Sequence, residues 1–157
     1  MLKNVANDIP ALRESLRNDR LALEQDFLQH GKAARLLKAH SRLIDQYLHH
    51  VWQQLDMPHR IALIAVGGYG RGELYPKSDI DLLILLDAES EKLLMEPLAI
   101  RLGEQTTLAK SLVMAGHPPD EALQQKLHQL IGLLWDIGLE VGHSTRTIAQ
   151  CLSESAD

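Results

Sequence analysis

The chain is short of several things, and each shortage removes a class of protein. It has one cysteine, Cys151. An internal disulfide is therefore impossible, and a reducing, cytoplasmic setting is expected. Aromatic residues are only 4% of the chain, too few for the stacking platforms that grip single-stranded nucleic acid. Positive charge is in deficit, with 16 Lys and Arg against 21 Asp and Glu and a net charge of −5. A broad electrostatic hold on a phosphate backbone is not expected, so no nucleic-acid partner is assigned. No apolar run reaches the length of a membrane span, and no secretory leader is expected ahead of Pro10.

What is present suits one globular domain. The 157 residues are enough to enclose a core, and 45% apolar with 24% charged residues is an ordinary balance. Residues 8–30 read as a helix, capped by Asp8 and started by Pro10, with Leu12, Leu16, Leu23 and Phe27 as its apolar stripe and Gly31 as its stop. A second helix is expected over 32–56, broadly apolar from Leu36 to Leu55 and ended by Pro58. His40, His49 and His50 fall on it, but adjacent helical residues point in different directions, so no zinc site is assigned. Asp120 is expected to cap a further helix to about Ile137, with Leu123, Leu127, Leu130, Ile131, Leu134 and Trp135 buried and Gly138 closing it. A strand over 139–147 and a short helix from Ile148 complete the chain.

The stretch IALIAVGGYGRGELYPKSDIDLLILL, residues 61–86, organises the rest. Ile61–Val66 is almost wholly apolar, as a strand covered on both faces would be. Gly67 and Gly68 follow at once and let backbone N–H groups approach phosphate oxygens with no Cβ in the way. Asp79 and Asp81 then open an apolar strand. Their i, i+2 spacing places both carboxylates on one face. Two like charges there call for a cation, and a hard divalent ion such as Mg²⁺ completes its shell with waters and substrate phosphates. Arg71 reads either as a forked phosphate contact or as an ion pair with Glu73 or Asp79. Lys77 and Ser78 adjoin the carboxylates, and Ser78 joins Gly67, Gly68 and Arg71 as a candidate nucleotide contact. Tyr69 and Tyr75 read as wall or core.

A double glycine after a strand, followed by Asp-x-Asp inside an apolar run, resembles the DNA polymerase β-like nucleotidyltransferase superfamily. The longer string GGYGRGELYPKSDIDLL, with LLWDIGLEVGHSTRT at 133–147, resembles the bacterial PII uridylyltransferase/uridylyl-removing enzymes over roughly residues 40–157. The resemblance implies a mixed α/β fold: a small mixed sheet of 61–66, 80–86 and 139–146 packed against helices and preceded by two N-terminal helices. It divides the chain into a helical segment, 1–57, and a nucleotidyltransferase core, 58–157, with an insertion at 88–117. It implies Mg²⁺ on Asp79 and Asp81, and transfer of UMP from UTP to a tyrosine of the PII signalling protein with release of pyrophosphate. Such enzymes commonly use a third carboxylate on a neighbouring strand. Related adenylyltransferases place an aspartate where Gly142 stands, so the third acid here is Glu140, Asp157 or one beyond the chain. The family's hydrolase and small-molecule-sensing domains have no counterpart in the chain, which is expected to be an N-terminal piece of a longer protein. Two alternatives stay open: an adenylyltransferase on the same scaffold, and a non-catalytic docking module.

Overall fold

The structure, a computed structural model, describes residues 9–87 and 121–155. The expected Asp8 and Asp120 caps, the insertion at 88–117 and Asp157 lie outside the described residues. Within them the order is α1 (Ile9–His30), α2 (Ala33–Gln54), β1 (Ile61–Ala65), a single helical turn α3 (Gly67–Gly70), β2 (Ile80–Leu86), α4 (Glu121–Asp136), β3 (Val141–Thr147) and α5 (Ile148–Glu154). The fold is mixed α/β, as expected, and the element bounds agree with the sequence reading to within about two residues.

Glycine and capping chemistry set the corners. Gly31 takes φ +65°, and its N–H donates to Phe27 O at 2.7 Å, which ends α1 in a left-handed cap. Gly138 does the same for α4 at φ +89°, where Leu139 N–H reaches back to Leu134 O at 3.0 Å. Thr147 and Gln150 exchange hydrogen bonds in a capping box that starts α5 at the end of β3.

The sheet has the order β1-β2-β3, with β2 in the middle. β1 and β2 are antiparallel, with Ala65 opposite Leu82, and β2 and β3 are parallel, with Asp81 opposite Gly142. Alternation along β2 separates its two faces. Ile80, Leu82, Ile84 and Leu86 are buried in one cluster with Ile44, Tyr47 and Val51 of α2, Leu12 and Leu16 of α1, and Leu130 and Leu134 of α4. Asp81, Leu83 and Leu85 point the other way, and none of the three is fully buried.

α1 is held to α2 by polar as well as apolar contacts. The buried Tyr47 hydroxyl donates to Asp19 Oδ2 at 2.8 Å and lies 2.9 Å from Ser15 Oγ. Burial pushes that phenol up to about 12. Two expectations about large side chains are corrected. Trp135 is 57% exposed, because the stripe Leu123, Leu127, Leu130, Leu134 already fills the inward face and the next residue along is turned about 100° away. Tyr75 is 62% exposed, on the turn whose Tyr75 O accepts from Ser78 N–H.

Candidate active site

The site is built where β1 hands over to α3 beside the start of β2. Val66 N–H donates to Asp81 O at 3.0 Å, which zips the strands up to the glycines. Gly67 then turns at φ +60°, a left-handed conformation that suits glycine. A Cβ on Gly67 would lie 2.7 Å from Asp81 Oδ2, and one on Gly142 would lie 3.1 Å from Asp81 Oδ1. The Asp81 carboxylate is thus flanked by two residues without side chains. Gly70 is needed for a third close approach, because its Cβ would meet Ala65 O at 2.5 Å.

Asp79 lies just before β2 and, like Asp81, is exposed. Two exposed carboxylates at i, i+2 form a donor set that suits Mg²⁺, which takes one or two protein carboxylates and fills its other positions with water and phosphate. Among the described residues no group of three or more His, Cys, Asp or Glu is placed to hold a metal. The position beside Asp81 on β3 is Gly142. Glu140 lies two residues earlier, exposed, and its carbonyl accepts from Ile80 N–H at 2.8 Å. Its charge acts on Arg20 of α1, where it opposes the effect of burial on the guanidinium.

The turn from 67 to 78 carries the other candidates. Of the readings open for Arg71, the structure shows the ion pair: its Nε donates to Glu73 Oε2 at 3.0 Å, and both side chains are well exposed. An exposed pair of this kind holds its partners weakly, within about 1 kcal/mol, so the guanidinium stays available. Arg71 Nη2 lies 4.0 Å from where a Gly68 Cβ would stand, which brings the cation to the double glycine. Ser78 is exposed, and its N–H closes the turn onto Tyr75 O at 3.1 Å.

Two residues to which the sequence reading gave no chemical role tie this turn to α2. Tyr69 is 5% exposed, and its hydroxyl donates to Asp45 Oδ1 at 2.5 Å. Burial, with Asp45 beside it, holds the phenol far above its usual range. His40 is buried, and its Nδ1 donates to Leu74 O at 3.1 Å. One tie holds Tyr69 between Gly68 and Gly70, and the other holds Leu74, next to the Glu73 whose N–H donates to Gly68 O. No sequence signal announces them, since the partners are 24 and 34 residues apart. Gly142 is different: a glycine inside a strand is itself a mark of close approach by another group.

A family model for the nucleotidyltransferase domain matches residues 48–155. The chain is 39% identical over 147 residues to the bifunctional uridylyltransferase/uridylyl-removing enzyme of Nitrosospira multiformis, a match covering 94% of this chain and 14% of that protein. It is 36% identical over 152 residues to the protein of the same name from Pseudomonas aeruginosa, with 96% and 14% covered. It is 34% identical over 144 residues to that of Aromatoleum aromaticum, with 92% and 13% covered. The chain therefore spans only 13–14% of the length of these relatives. No solved structure matches it. The family match takes in the strand, the glycine turn, the two carboxylates and β3, and the chain belongs to the nucleotidyltransferase domain family.

Proposed function

We propose that this chain is a uridylyl-transferring domain that, with Mg²⁺, moves UMP from UTP to a tyrosine hydroxyl of a PII signalling protein. The observation that carries the reading is the seat of Asp81. Its carboxylate lies between Gly67 and Gly142 on the exposed side of β2, with Asp79 two residues before it. The names of the relatives support the uridylyl part of the reading.

In this reading Asp79 and Asp81 hold the ion, which when bound neutralises charge on the triphosphate. Gly67 and Gly68 offer backbone amides to phosphate oxygens. Arg71 exchanges its exposed partner Glu73 for phosphate, and Ser78 adds a hydroxyl contact. The tyrosine oxygen attacks the α-phosphorus, and a new O–P bond forms as the bond to the bridging oxygen breaks. Pyrophosphate leaves with that electron pair, and the hydroxyl proton passes to Glu140. Positioning and charge neutralisation supply the catalysis, as in phosphoryl transfer generally.

The test is transfer of label from α-labelled UTP to a PII protein, with Asp79→Asn and Asp81→Asn beside the parent chain. Both variants keep the shape of the side chain and remove its charge. The expected result is metal-dependent labelling by the parent and a loss of at least about 100-fold in either variant, the scale seen when a main electrostatic contact is removed. Undiminished labelling by both variants would contradict the assignment.

A further inference from the structure

The sheet order β1-β2-β3 leaves β1 at an edge. Antiparallel pairing fixes which of its backbone groups face outward. Val66 N–H donates to Asp81 O, so Ala65 and Leu82 oppose each other without bonding, and so do Leu63 with Ile84 and Ile61 with Leu86. Ile61, Leu63 and Ala65 therefore turn their N–H and C=O groups away from β2. Two of these groups are taken: Ile61 N–H donates to Pro58 O at 3.2 Å, and Gly70 packs against Ala65 O. The others are Ile61 O, both groups of Leu63 and the Ala65 N–H, and among the described residues no strand pairs with them. The strand, Ile-Ala-Leu-Ile-Ala, has no charge and no proline, and its register runs without a bulge. Native edges are commonly blunted by such devices, and an apolar edge without them is a template for a further strand.

A groove of about 310 Å³ follows this edge between β1 and α2. Leu48 and Trp52 line it from α2, and Leu63 and Ala65 line it from β1. Asp45 is the one carboxylate in its lining, and no Lys or Arg lines it. Asp45 is exposed, and its Oδ1 accepts from the Tyr69 hydroxyl, which leaves Oδ2 for a cation. Tyr69 also lines the groove, so the groove is continuous with the glycine turn of the candidate active site.

We propose that this edge receives the protein substrate, as an extended segment that carries the acceptor tyrosine and a basic residue and adds to β1 as a further strand. The inference rests on the uridylyl reading and names where its acceptor docks. Main-chain bonds to Leu63 and to its outward-facing neighbours give the hold, as in other cases of strand addition. Side chains opposite Leu63 and Ala65 point with them toward α2, where Leu48 and Trp52 take an apolar group and Asp45 takes the basic one. Side chains one position off point with Ile64 to the other face. Ile64 stands opposite Leu83, two residues from Asp81 and on the same face. The added strand lies two strand spacings, about 10 Å, from β2. A tyrosine opposite Ile64 is then on the face of the carboxylate pair, and its long side chain leans across β1 toward them.

The test is peptide binding, and it needs neither UTP nor Mg²⁺. A synthetic peptide spanning the modified tyrosine of a PII protein is titrated into the ¹⁵N-labelled chain. The expected result is saturable binding that shifts the Leu63 and Ala65 amides and slows their exchange, with little change in exchange at Ala62 and Ile64, whose N–H groups face β2. Leu63→Pro removes an outward N–H, leaves the ladder to β2 intact and weakens binding about 10-fold or more. Asp45→Asn keeps an acceptor for Tyr69 and weakens it roughly 2–5-fold. If Leu63→Pro does not fold, the peptide itself carries the test: N-methyl groups on one alternate set of its amides abolish binding, and on the other set they spare it. Asp81→Asn binds the peptide as the parent does, although it loses labelling. Labelling of PII by the parent without peptide binding at Leu63 and Ala65 overturns the docking alone, and absence of both overturns the reading on which it rests. Concentration-dependent protection of the same amides in the chain by itself assigns the edge to a second copy and overturns the proposal.

Discussion

The two faces of β2 are made from alternate residues of one seven-residue strand, yet they answer to different physics. Ile80, Leu82, Ile84 and Leu86 are each no more than 3% exposed and join three helices and the sheet into one core. Asp81 on the opposite face is exposed and flanked by glycines. One face is selected for volume and the other for space kept empty. Substitutions should therefore separate: the core face should change stability and leave the site's chemistry alone, and the glycine face should change the site's chemistry at a smaller cost in stability.

The largest effect sharpens the core side. Leu82→Ala removes a fully buried side chain and should cost about 2–5 kcal/mol in denaturant unfolding. Under conditions where the variant remains folded, its Mg²⁺-dependent nucleotide affinity should stay within a few-fold of the parent. Gly67→Ala probes the other side. Its left-handed φ should cost about 1–2 kcal/mol, and the new methyl must displace the Asp81 carboxylate 2.7 Å away. Calorimetry should show Mg²⁺-dependent nucleotide binding weakened more than about 10-fold, which is over 1.4 kcal/mol. If Gly67→Ala loses stability but keeps full affinity, the division between the faces fails.

Tyr69→Phe tests the tie between them. It leaves Asp45 exposed to water rather than orphaned, so the loss of stability should be small, about 0.5–1.5 kcal/mol. Nucleotide binding should weaken along with it, because the tethered turn carries Gly67, Gly68 and Arg71. The smallest effect is on pH dependence. Burial lowers the His40 pKa below its ordinary value of 6.5, the bond to Leu74 O offsets part of that, and the nearby Arg20 lowers it further. The unfolded chain therefore binds more protons in this window. The stability given by neutral His40 is complete above about pH 6.5 and is lost as the pH falls toward the folded value. His143 is shifted in the same direction by partial burial. His40→Asn, which keeps a donor for Leu74 O, should show a shallower loss of stability than the parent between pH 7 and 5 in denaturant melts. An unchanged slope would remove His40 from the account.

How much of this was open to the sequence follows from the range of each interaction. The strands, the glycine turn and the i, i+2 carboxylates are local patterns, and each was legible in Ile61–Leu86. The helices were legible from their leucine spacing, and Gly31 and Gly138 marked their ends. Trp135 was misplaced because a wide apolar stripe does not say where its own edge lies, and the leucines had already filled the inward face. Tyr75 was misplaced because apolar mass alone does not bury a residue on a turn. The ties from His40 and Tyr69 depend on how α2 lies against the turn, which no local pattern encodes. The pairing of Asp81 with Gly142 needed the strand order as well, although the glycine itself was the clue.

The most direct measurement is calorimetric titration of a non-hydrolysable UTP analogue into the chain, with and without Mg²⁺, against the corresponding ATP analogue. The account predicts binding that requires Mg²⁺, favours uridine and disappears in Asp81→Asn. Binding that persists in Asp81→Asn at parental affinity, or that is indifferent to Mg²⁺, would contradict the claim that the carboxylate between Gly67 and Gly142 holds the ion.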